Sequence, residues 1–171
     1  MIFRLTERDL KTKFGTFREI LFYDGQKESI TLVIGDVEMG GDVICRIHSA
    51  CVSGHVFSSV ECECQAEMEA AQSAIQKAGK GIIIYLEQEG KGNGHLALMA
   101  SIPYKKAGIN QAEAYEKAGF EKDARSFRPA AEILRDLKIK SIVLLTNNAG
   151  KAEDLRKFGI EVSASKEIFS K

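Results

Sequence analysis

CQAEMEAAQSAIQKAGKGIIIYL, residues 64–86, decides the fold. Met68, Ala71, Ala74 and Ile75 recur at the spacing of one helical face. Gly79-Lys80-Gly81 then supplies the stop that glycine gives just past a helix C-terminus. The run Gly81–Leu86 is apolar without alternation, the pattern of a strand covered on both faces. A helix over Cys64–Ala78 leading into a buried strand predicts an α/β layered domain.

Working outward, alternation and β-branched residues predict strands over Thr16–Tyr23, Ile30–Ile34 and Asp42–His48. Polar turns YDGQKES and DVEMGGD separate them, so the first third reads as antiparallel. Downstream, helical stretches are predicted over Leu96–Ala107, with Pro103 kinking or dividing it, and over Asn110–Gly119. FEKDARSFRP reads as a polar loop, and Pro129 suits the first turn of a helix carrying Ile133, Leu134 and Leu137. SIVLLT is a second buried strand, followed by a helix over Lys151–Phe158 and a short strand over Ile160–Ser163. Without repeats or linkers, the 171 residues are expected to form one domain.

Hydrophobic residues make up 44% and charged residues 28%, which excludes a disordered chain. Lys plus Arg and Asp plus Glu number 24 each, so no net field draws the chain to nucleic acid or an anionic membrane. MIFRLTERDL does not fit a secretion signal, and no apolar run is long enough to span a bilayer, so a cytoplasmic location is expected.

In a reducing compartment the four cysteines suit metal ligation or burial better than disulfides. Cys51, Cys62 and Cys64 can converge if VSGHVFSSVE folds back, and thiolates suit tetrahedral zinc. Three protein ligands would leave a position for water, as in a catalytic site. A fourth from His48, His55 or Cys45 would close a structural one, and spacing alone leaves both open. Cys45, inside the apolar DVICRIH, reads as a small core hydrophobe.

Several segments could hold an anion. EQEGKGNGH follows the buried strand as a glycine-rich turn able to bring backbone N–H groups to phosphate, although it lacks the P-loop ending. Arg46 and His48 lie just before Cys51. Asp123 and Arg125, two apart, read by themselves as a surface ion pair. Thr146-Asn147-Asn148 ends a strand ahead of Lys151, where open α/β sheets bind ligands; a simple Asn helix cap is the competing reading.

Together these segments resemble the GTP cyclohydrolase II family. RIHSACVSGHVFSSVECEC is the most specific piece, supported by QEGKGNG, GFEKDARSF and LLTNN with Lys151 following. The resemblance implies one zinc ion on Cys51, Cys62 and Cys64, with water activated there opening the imidazole ring of GTP and releasing formate. It also implies pyrophosphate release assisted by Mg²⁺ on the substrate phosphates, and a homodimer. Asp123 and Arg125 match catalytic positions, as proton acceptor and nucleophile toward the α-phosphorus, although at neutral pH Arg125 is more naturally a phosphate clamp. Arg46, His48, Ser49, Glu67, Glu89, Gly90, Lys91, Gln111, Thr146 and Lys151 match substrate-binding positions.

The chain departs from the family pattern at Ala50, His55, Glu67 and Lys91. Ile102 stands where the family carries an active-site Tyr, with Tyr104 two residues on; Gln111 replaces a Thr and Tyr115 an Asn. The metal ligands and the Asp–Arg pair remain. This pattern keeps two other readings in view: a zinc hydrolase opening another purine or pyrimidine nucleotide, and a non-catalytic nucleotide binder with structural zinc.

Overall fold

The computed structural model describes residues 1–169. Seven strands form one sheet in the order β1-β2-β3-β5-β4-β6-β7: Phe3–Thr12, Gly15–Tyr23, Glu28–Ile34, Val43–Ser49 (β4), Gly81–Leu86 (β5), Ser141–Leu145 and Glu161–Lys166. The α-helices are α1 (Val52–His55), α2 (Cys64–Ala78), α3 (His95–Lys106), α4 (Gln111–Lys117), α5 (Arg128–Asp136) and α6 (Ala149–Lys157). The mixed α/β class agrees with the sequence, and no described helix is long and apolar enough to cross a membrane.

β5 joins two kinds of sheet. It pairs antiparallel with β3 on one side and parallel with β4 on the other, and β6 and β7 continue the parallel half. Its run of isoleucines is apolar throughout because both faces are covered. Ile83 packs with Phe17, Ala71 and Ile75 under α2, whereas Ile82 and Ile84 face a second cluster with Ile133, Leu134 and Leu155. α2 ends at Gly79, whose φ of 70° is the left-handed cap that glycine permits.

Three features differ from the sequence reading. β4 is parallel to both neighbours, not part of the antiparallel run, because DVEMGGD carries the chain across the sheet and not through a tight hairpin. β1 was not foreseen. Its Phe3–Thr12 stretch is mostly exposed, so the burial that writes apolar alternation into a sequence is missing there. Pro103 does not divide α3, which runs unbroken from His95 to Lys106.

Candidate active site

β4, β5 and β6 run parallel, so their C-terminal ends open on one side of the sheet, where ligands of open α/β folds bind. Cys51 follows β4 as the N-cap of α1, and Cys64 opens α2. The single turn of α1 folds the chain back, so that the ligand atoms of Cys51, Cys62 and Cys64 lie within 4.8 Å of one another. Cys51 Sγ and Cys62 Sγ are 3.7 Å apart. Tetrahedral zinc with Zn–S bonds of about 2.3 Å requires sulfurs about 3.8 Å apart, so the donor set fits. Gly54 makes the approach possible: a Cβ there would stand 2.9 Å from Cys62 Sγ and 3.4 Å from Cys51 Sγ. Burial pushes the Cys51 and Cys64 thiols up, so their thiolates call for a cation.

Of the alternative ligands, none joins this group among the described residues. His55 Nε2 instead lies 3.0 Å from His48 Nε2, with both rings beside Tyr85. Burial, then the charge of Arg46, pulls the His48 pKa down to about 2, so its ring is neutral. Cys45 is fully buried in the core, as expected, and burial drives its thiol to about 12.

Arg46 organises the floor beneath the cysteines. Its guanidinium donates to Glu67 Oε2 at 2.7 Å and to the Leu145 carbonyl at 3.1 Å, and lies 3.3 Å from His48 Nδ1. The arginine is nearly inaccessible, so Glu67 serves as its counter-charge. Since Glu67 sits in the first turn of α2, the pair fixes the turn carrying Cys64 over the end of β4.

The glycine-rich segment after β5 forms a 3₁₀ turn over Gly90–Gly92. Glu89 accepts from Val52 N at 2.6 Å, linking the segment to the turn after Cys51. Gly92, at φ 85°, leaves no room for a side chain because a Cβ would meet Ala124 backbone at 2.6 Å. Ala124 N donates to the Lys91 carbonyl at 2.9 Å, which brings Asp123 and Arg125 alongside. Arg125 grips Asp123 with two donors, Nε at 2.8 Å and Nη2 at 2.6 Å. Burial would raise the Asp123 pKa, but Arg125 outweighs it and holds the carboxylate below its ordinary range.

Thr146 and Lys151 lie lower. Thr146 Oγ1 accepts from Asn148 N at 3.0 Å, and Asn148 caps α6 by accepting from Gly150 N at 2.9 Å, so the cap reading of that Asn holds. Lys151 is buried, donates to the Ile47 carbonyl at 3.1 Å and faces the Phe127 ring. Burial, then Arg46 and Arg125, lowers its pKa to about 7.

A cleft of about 230 Å³ opens onto the cysteine cluster. Ser49, Glu89, Gly90, Lys91, Gln111 and Arg125 line it with the three cysteines, as the sequence suggested for a single site. Arg46, His48, Glu67, Asp123, Thr146 and Lys151 are not on its wall. Leu98 and Lys105 are, and the sequence reading assigned them no role; so are Tyr115, read there as replacing a family Asn, and Gln88, the first residue of the QEGKGNG segment. Lys105 sits in the last turn of α3, and only the packing of α3 on the glycine-rich turn reveals where it faces. A larger groove of about 460 Å³ beside α2 is lined by Leu10, Phe14, Leu32 and Met68, with Lys13, Glu69, His55 and Tyr85 also on its wall.

Residues 4–167 match the family described as GTP cyclohydrolase II. The chain belongs to the GTP cyclohydrolase II family. It is 39% identical over 165 residues to the riboflavin biosynthesis protein RibBA of Bacillus mycoides (strain KBAB4), covering 95% of this chain and 42% of that protein. It is 40% identical over 164 residues to RibBA of Bacillus cereus (strain G9842), covering 95% and 41%. The chain thus spans about two fifths of the length of these relatives. In fold it is similar to RibBX, a two-domain 3,4-dihydroxy-2-butanone 4-phosphate synthase from A. baumannii. The TM-score is 0.53 at 15% identity, over 99% of this chain and 40% of that one. Lys91, Ile102, Gln111 and Tyr115, which the sequence reading took as departures from the family pattern, all line the one cleft.

Proposed function

We propose that this chain, as one GTP cyclohydrolase II-like domain, hydrolyses GTP, opening its imidazole ring and releasing formate and pyrophosphate to give a diaminopyrimidine precursor of riboflavin. The observation that carries this reading is the cluster of three thiols sharing a cleft with the cations Lys91, Lys105 and Arg125. Such a cleft can hold a polyanion while its ring lies against a metal. Zinc held by Cys51, Cys62 and Cys64 would supply a Lewis acid beside the ring.

The chain's own residues do the rest. Lys91, Lys105 and Arg125 neutralise the phosphates, with Mg²⁺ carried in on them. Arg125 acts as a clamp: Asp123 engages its Nε and Nη2, which leaves Nη1 for a phosphate oxygen. Asp123 orients it. Arg46, His48 and Glu67 hold the floor, while Lys151 ties α6 to the end of β4 and Thr146 fixes the turn after β6. Each carbon–nitrogen bond broken in freeing formate consumes one water, and pyrophosphate release consumes another.

We read the assembly as a cytoplasmic homodimer, supported by the exposed Phe3 and Leu5 on β1. The substitutions on the cleft wall also support a second reading, in which the same chemistry acts on another nucleotide. Zinc-loaded protein with Mg²⁺, GTP and a panel of other nucleotides tests both, by formate, pyrophosphate and the ultraviolet change of ring opening. Both products from GTP are expected. Turnover of another nucleotide alone selects the second reading, and turnover of none refutes both.

A further inference from the structure

Five buried polar side-chain atoms lack a hydrogen-bond partner among the described residues, and three of them, Ser49 Oγ, Gln88 Nε2 and Tyr115 OH, belong to residues lining the cysteine cleft. Buried polar groups are almost always paired, so orphans gathered at one cavity mark contacts that a ligand completes. Tyr115 is the sharpest of the three. Its side chain is wholly inaccessible to solvent, yet its hydroxyl has no partner of proper geometry. Gln111 and Ser101 stand near without proper geometry, and Ser101 gives its own hydroxyl to the Leu98 carbonyl at 2.7 Å. The glycine-rich turn passes close beside Tyr115: a Cβ on Gly90 would lie 3.6 Å from its hydroxyl. Burial raises the phenol pKa, which keeps it a donor at neutral pH. Leu98 and Ile102 on α3 add apolar wall to the same cleft. Apolar walls with a few fixed polar atoms suit a planar heterocycle, whose faces are apolar and whose edge accepts hydrogen bonds.

We infer that the Tyr115 hydroxyl donates a hydrogen bond to the edge of the bound nucleobase and is a specificity-determining residue of this cleft, with the Gln88 amide as a second contact. The inference rests on the reading of the cleft as a nucleotide site. It gives this chain a phenol from α4 on the same cleft wall as Ile102 of α3.

Tyr115→Phe removes the hydroxyl and keeps the ring that fills the core. In zinc-loaded protein without nucleotide, the variant is expected to keep its zinc and to melt at the same or a higher temperature, because an unpaired buried group is gone. With nucleotide the sign reverses. The KM for formate release should rise about tenfold, the effect of one polar contact left unmade. kcat should change far less, and the melting-temperature rise on adding GTP should shrink. A lower melting temperature without nucleotide, together with unchanged KM and an unchanged GTP-induced shift, would make the hydroxyl a structural group and overturn the inference. That result would leave the cyclohydrolase reading intact, since wild type would still bind and turn over nucleotide. If wild type neither turns over nor is stabilised by GTP, ATP, CTP or UTP, the nucleotide reading fails and this inference with it.

Discussion

Gly54→Ala separates the metal site from the rest of the molecule. Alanine is the better helix former by about 0.5–1 kcal/mol, so on propensity alone the change at this position in α1 should stabilise the protein. Space says otherwise. The added Cβ would stand 2.9 Å from Cys62 Sγ, 3.2 Å from Cys64 Cβ and 3.4 Å from Cys51 Sγ, inside ordinary contact distance for all three. In the metal-free protein Cys62 is exposed and can move aside, so only the 3.2 Å contact with Cys64 Cβ remains to be absorbed there. Zinc removes that freedom by drawing the sulfurs to about 3.8 Å from one another around the ion. Overpacking of this kind costs about 1–3 kcal/mol, charged almost entirely to the metal-bound state. At about 1.4 kcal/mol per decade this weakens zinc roughly 5- to 150-fold. Competition against a chromophoric chelator measures the affinity, and the melting temperature of the metal-free protein serves as control. Zinc affinity within twofold of wild type, with unchanged metal-free stability, would refute the argument that Gly54 makes room for the three thiolates.

Other outcomes follow from the buried charges. Lys151 has a folded pKa of about 7, below its unfolded value near 10.4, so the unfolded chain binds more protons between those values. Stability of the nucleotide-free protein should therefore climb above pH 7 by up to about 1.4 kcal/mol per unit. The climb should stop near pH 8.5, where unfolded thiols ionise while Cys45, raised to about 12, stays protonated in the fold. Urea unfolding at three pH values should show this slope flattened in Lys151→Met; the same slope in both proteins would contradict it. Glu67→Leu leaves the buried Arg46 with neither counter-charge nor acceptor and should cost about 3 kcal/mol, whereas Glu67→Gln removes the same charge but still accepts a hydrogen bond, which should recover about 1 kcal/mol. Equal urea midpoints for these two variants would show that the hydrogen bond from Arg46 does not matter.

Much of this molecule was written in local sequence. α2 and β5 follow from helical spacing, a glycine stop and an unbroken apolar run, because burial on one face or two imposes those periods directly. The three cysteines were legible as one cluster, since a short fold-back suffices to join thiols at that spacing. Cys45 was legible as core for the same kind of reason, its apolar neighbours. The sequence could not choose between an open and a closed metal site. That depended on His55, whose ring turns toward His48 and Tyr85 through contacts between β4, β5 and α1. Nor could it show that β4 lies parallel between β5 and β6, because strand order is set by crossovers and not by the residues of one strand. β1 stayed hidden because a solvent-exposed strand has no buried face to mark its period. Lys105 was an ordinary helix residue, and Tyr115 and Gln88 only members of motifs, until α3, α4 and the glycine-rich turn packed around one cleft. Local periodicity is fixed by which face of an element meets water, whereas a cleft wall is assembled from distant segments, and only the tertiary structure states which atoms it leaves unpaired.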